Sequence, residues 1–252
     1  MAEAATAQPV QVAGLATRGR PLLRRSAPQT TGVSSAELAA LPRLPDTADE
    51  VQAIAAALKA DPAQDVFLGR RASETMVRTT NLADRKVILF ATHGLVPGDL
   101  NGLTQPALAL SAPQVAGGTG DGLLTMDKIL GLRLDADWVV LSACNTAASD
   151  GNGAEAASGL GLAFFYAGTR ALLLSNWPVE TTSARMLTTD MFRRQTENTN
   201  LGRAKAMQSS MLSLIDGDGF VEGGKVVFSY THPIFWAPFS VIGDGGGGAA
   251  GS

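Results

Sequence analysis

The chain has 252 residues, 45% of them hydrophobic and 17% charged, with a net charge of −3. That composition suits one globular domain with a sizeable core and excludes the basic field that would recruit nucleic acid or an anionic membrane surface. No apolar stretch reaches transmembrane length, the first residues lack the pattern of a signal peptide, and the single cysteine permits no internal disulfide, which fits a reducing, cytoplasmic setting.

Residues 1–40 are rich in Ala, Gly, Pro and Thr and show no amphipathic period, so they read as a flexible or partial N-terminal segment. Their cluster of Arg18, Arg20, Arg24 and Arg25 reads as a solvated face. A helix is expected from Asp46, with Asp46 as its cap, Asp49 and Glu50 at its positive end, and Val51, Ile54, Ala55 and Leu58 as its inner stripe. Residues 65–69 predict a short strand, and Ser73 caps a helix that runs to Thr80. Val87 to His93 is an apolar run of strand length. In the Gly/Pro-rich stretch that follows, Ala107–Leu110 pairs with Gly122–Thr125 as a small hairpin, and Asp127–Gly131 makes a helical turn. Trp138 to Cys144 is the second apolar run. Gly153–Tyr166 reads as a buried helix with Leu160, Ala163 and Phe164 on one side, and Arg170–Ser175 as a third buried strand. Two amphipathic helices near 181–196 and 201–215, a last strand over Phe235–Ile242 and a disordered Gly-rich tail at 245–252 complete the chain.

Buried strands alternating with helices imply a parallel sheet covered on both faces. Right-handed crossovers then bring the strand ends at His93, Cys144 and Ser175 to one edge of the sheet. Chemistry in such sheets sits at the carboxyl ends of strands, and there the sequence places its only thiol and one of its two imidazoles. An imidazole beside a thiol stabilises the thiolate and can later protonate a leaving amine, so the two are the minimum equipment for acyl transfer. Gly94 directly follows the histidine, and its N–H together with that of Cys144 would form an oxyanion site. The plainer reading is a buried, inert cysteine and a histidine satisfied by a backbone carbonyl.

Five segments in order add weight to the first reading. They are Phe90–Gly94, Val140–Thr146, Ala163–Gly168, Ser175–Val179 and His232–Phe239, and together with the lead-in segment Leu41–Glu50 they resemble the CHAT domain, a caspase-like peptidase domain related to separase and often found after tetratricopeptide repeats. The resemblance covers residues 41–244. It implies an α/β fold, a caspase-like α/β/α sandwich with a mostly parallel central sheet. It also implies cysteine endopeptidase activity with His93 as general base and acid, Cys144 as nucleophile and no cofactor. Its partners would be a protein or peptide substrate and a tetratricopeptide-repeat region or separate regulatory protein, with no nucleic acid and no membrane. The family's usual helical-repeat region and first-strand motif are not seen before residue 41, so the chain reads as a fragment of a longer protein or a diverged standalone copy.

Around the pair, Glu180, Asp150 and Trp177 are the candidate substrate contacts. Separase-like relatives use an acid in the loop of Glu180 to bind a basic P1 side chain, although a Glu at that point also suits a helix start. Glu155 is a similar, weaker candidate. Some relatives with basic specificity carry an acid two residues before the cysteine, where this chain has Ser142. His232 precedes Pro233 and reads as structural. The calcium-like run Asp216–Gly219 lacks a third acid and the closing Glu, Gly223-Gly224-Lys225 is no P-loop, and one Cys with two distant His argues against zinc. Two further functions stay open on this reading: a catalytically silent CHAT-fold scaffold, and a different acyl transfer by the same pair.

Overall fold

The computed structural model describes residues 35–142, 152–176 and 180–246. The tail beyond Gly246 and residues 1–34, with their arginine cluster, lie outside the described residues. The chain opens with helices α1 (Ser35–Ala39), α2 (Asp46–Ala57), α3 (Pro62–Asp65) and α4 (Glu74–Thr79). Strands β1 (Val87–Phe90), β2 (Gly94–Leu95) and β3 (Ala107–Ala109) follow, then the short α5 (Pro113–Ala116), β4 (Leu123–Thr125), α6 (Met126–Leu130) and β5 (Trp138–Leu141). The second half runs α7 (Asn152–Ala167), β6 (Ala171–Ser175), α8 (Thr181–Glu197), α9 (Arg203–Ile215), β7 (Phe220–Glu222), β8 (Lys225–Phe228) and β9 (Phe239–Gly243).

The main sheet has the order β1-β5-β6-β9. β1, β5 and β6 are parallel, with Phe90 opposite Leu141 and Leu141 opposite Leu174, so their carboxyl ends lie level. β9 returns antiparallel beside β6. β5 and β6 are buried at every residue, as strands covered on both faces must be. One face packs Ile88, Phe90, Leu141 and Leu174 against Leu160 and Phe164 of α7. The other packs Trp138, Val140 and Leu173 with Ile54 of α2, Met191 of α8 and Met207 of α9. This is the α/β layering with a mostly parallel sheet that the sequence implies. A small antiparallel sheet, β2-β3-β4, stands beside it and contains the expected hairpin pair.

Three elements differ from expectation. Residues 65–69 do not form a strand: Asp61 accepts from the N–H of Ala63 and Pro62 takes the first helical position, so a turn of helix forms, and only 66–68 run on without regular structure. Asp46 does not cap α2. Pro45, with φ −60° and ψ −37°, already holds helical geometry in the cap position, and Asp46 is the first helical residue. The final strand begins at Phe239 rather than Phe235, because Pro238 has no N–H to give to a ladder and residues 233–238 turn instead. The hairpin β7–β8 was not read from the sequence, although Gly223 and Gly224, at φ +57° and +77°, form the Gly-Gly turn such hairpins favour.

Phe164 is fully buried, and its ring lies 5.7 Å from that of Phe90. Phe164→Ala is expected to cost about 3–5 kcal/mol, since it empties the layer between β1, β5 and α7. Equilibrium urea unfolding of the two proteins measures the difference.

Candidate functional site

The carboxyl ends of β1 and β5 define the site. β1 stops at Phe90, and Ala91, Thr92 and His93 carry the chain out of the main sheet into β2. The small sheet fixes that exit. The N–H of Ala109 donates to the carbonyl of His93 at 2.9 Å, and the Thr92 hydroxyl donates to the carbonyl of Ala109. His93 is therefore held by its own backbone before its ring makes any contact.

The ring meets the lead-in segment. Nε2 of His93 lies 2.7 Å from the carbonyl oxygen of Pro42. A carbonyl only accepts, so Nε2 carries a hydrogen, and in the neutral imidazole Nδ1 then holds the lone pair. A carbonyl partner was part of the plainer reading of His93. Here it also chooses the tautomer and leaves Nδ1 as the basic atom. A cavity of about 940 Å³ reaches His93, lined among others by Pro42, Val51, Phe90 and Ser111.

Gly94 lies opposite Leu108 in the β2–β3 pair. The bond from Ala109 to His93 marks the neighbouring pair as the hydrogen-bonded one, so ladder alternation directs the Gly94 N–H away from β3. The ladder to β3 therefore leaves that N–H unused.

β5 delivers the chain to Ser142, and Cys144, two residues further on, lies outside the described residues, as do Asp150 and Trp177. Glu155 belongs to α7. At Ser142 the sequence reading missed a partner. Glu50 of α2, expected at the positive end of that helix, is only 5% exposed, and the Ser142 hydroxyl lies 2.9 and 2.8 Å from its two carboxylate oxygens. Burial pushes the Glu50 carboxyl above its ordinary range, and the Ser142 hydroxyl offsets part of that rise. The acid absent from position 142 in sequence is thus present beside it in space. Pro42 and Glu50 both fall in Leu41–Glu50, and its resemblance to the family's lead-in segment was the one available signal for them.

Glu180 caps α8. Its carboxylate accepts from the backbone N–H of Thr182 at 2.9 Å and of Ser183 at 2.7 Å. Burial acts to raise its pKa, but these N–H bonds outweigh burial and hold the carboxyl below its usual range. Near it, the buried Tyr230 hydroxyl has no hydrogen-bond partner among the described residues, and burial, with Glu180 adding, pushes that phenol up. His232 is exposed, and its Nδ1 accepts from the N–H of Ile234. Among the described residues no cluster of three or more His, Cys, Asp or Glu is placed to hold a metal ion, and no helix is long and apolar enough to cross a membrane.

The sequence profile of the CHAT domain matches residues 2–244, and the chain belongs to that family, which is related to the cysteine peptidases. The match takes in residues upstream of the point where the sequence reading starts the domain. No curated protein matches the chain.

Glu180→Ala is expected to lose about 1 kcal/mol of stability at neutral pH, the ordinary worth of a cap. Because the folded pKa of Glu180 is lowered, its contribution is full above the unfolded carboxyl pKa of about 4.3 and fades as pH falls through the folded value. Thermal melts of both proteins from neutral to acid pH should therefore converge at the acid end.

Proposed function

We propose that this CHAT-domain chain is a cysteine endopeptidase that cleaves a protein substrate through His93 and Cys144. The observation that carries the reading is the bond from His93 Nε2 to the Pro42 carbonyl. It occupies Nε2 and leaves Nδ1 free of that bond, at the end of the strand that neighbours the one leading to the only thiol in the chain.

The chemistry follows from those groups. Nδ1 takes the thiol proton, and the sulfur of Cys144 adds to the scissile carbonyl. The N–H groups of Gly94 and Cys144 receive the developing oxyanion. His93 then gives its proton to the leaving amine, which departs as the C–N bond breaks and leaves a thioester. A water, deprotonated by the same Nδ1, adds to the thioester and releases the acid and the thiol. Trp177 and Asp150 would contact the substrate in this scheme. Glu180 is available to a basic side chain only on the faces of its carboxylate that the helix cap leaves open. Control by a repeat region or a separate partner protein belongs to the same proposal.

With one cysteine in the chain, alkylation reports on a single site. Iodoacetamide is expected to modify Cys144 rapidly well below the free-thiol pKa of about 8.5, and His93→Ala should abolish that low-pH reactivity. A slow rate indifferent to His93 would sink the dyad and favour a scaffold.

A further inference from the structure

Glu50 is a buried carboxyl with an unusual setting. It comes from α2, 92 residues before Ser142 in the chain, yet both of its oxygens lie within 2.9 Å of the Ser142 hydroxyl. Among the described residues it has no ion-pair partner. A buried acid without a cation is costly, and a leucine or methionine of similar size would avoid that cost. Its contact is instead spent on one residue, at the point where β5 ends. Trp138 and Val140 of β5 face the α2 side of the sheet, and Ser142 continues that alternation. Cys144 follows Ser142 by two residues, and two residues of chain span at most about 7 Å.

We propose that Glu50 is a positioning residue: through the Ser142 hydroxyl, its buried carboxyl sets the backbone at the end of β5 from which Cys144 follows, and so sets the approach of the thiol to His93. The inference rests on the dyad reading above. It also gives the lead-in segment a second grip on the site. The Pro42 carbonyl orients the imidazole, and Glu50, eight residues later, places the strand end that precedes the thiol. A misplacement of about 1 Å in such a pair can cost about a hundred-fold in rate, so a contact outside the reacting atoms can govern them.

The test measures iodoacetamide alkylation of Cys144 across pH in wild type, Glu50→Gln, Glu50→Ala, Ser142→Ala and the double alanine variant, with thermal melts of each. Both single alanine variants should lose about ten-fold or more of the His93-dependent rate at low pH. The double variant should be no slower than the slower single one, because the two groups act as one. Glu50→Gln, whose amide oxygen still accepts from Ser142, should keep most of the rate. Should Glu50→Ala fail to fold, Ser142→Ala and Glu50→Gln carry the comparison. Wild-type rates and pH profiles in the alanine variants, even with lowered melting temperatures, would reduce the pair to a structural one and overturn the proposal. A wild-type rate that ignores His93 overturns the dyad itself, and the positioning role with it; that failure is seen in wild type and His93→Ala alone.

Discussion

The burial of β5 is the constraint on which the rest depends. Its four residues, Trp138 to Leu141, have no exposed face and no free edge among the described elements, since β1 and β6 flank it and helices cover both sides. A strand in that position cannot slip, because a shift of one residue would turn each side chain into the wrong layer. The register of Phe90 with Leu141 and of Leu141 with Leu174 then follows, and with it the level line of strand ends. Whatever chemistry the chain performs at that line starts from a level set by apolar packing, onto which the polar contacts are added.

That packing is also what made the fold legible. Val87–Phe90, Trp138–Leu141 and Ala171–Ser175 are continuous apolar runs, and continuous runs bounded by turns mark strands covered on both sides. The long helices announced themselves by Ile54, Phe164 and Met191, each buried in one of the two layers. The misreadings came where local backbone chemistry competes with pattern. Val66 to Leu68 look like a strand in composition, but Asp61 and Pro62 start a helical turn just before them. Phe235 to Ile242 look like one strand, but Pro238 divides them. In both cases a proline decided the boundary, through the fixed φ of one and the missing N–H of the other.

The site was legible only in part, and for a different reason. His93 and Gly94 carry side-chain or backbone chemistry that their own positions advertise. Pro42 acts through a carbonyl that every residue possesses, so nothing in its side chain marks it. Glu50 has the charge of a solvated helix start, and only the fold shows that its turn of α2 faces inward toward Ser142. Glu180 ran the other way: its charge suggested a substrate contact, while its position at the start of α8 gives its carboxylate to two backbone N–H groups. Single-residue chemistry is readable from sequence, whereas contacts between residues 51 or 92 positions apart are set by packing alone.

The lead-in segment joins these observations. Pro42 and Glu50 are separated by one turn-rich stretch and the first turns of α2, and α2 is seated against α8 through the apolar layer that contains Ile54. The two polar grips are therefore close in sequence, Glu50 within α2 and Pro42 in the stretch that leads into it. The backbone of His93 is further anchored by β3, through Ala109, while Ser142 has no comparable backbone tie among the described residues. On the proposed reading, the nucleophile side of the dyad is the one tied to α2, through Glu50 and Ser142. On that reading, a helix that contributes no reacting atom helps set the geometry of the half that reacts first.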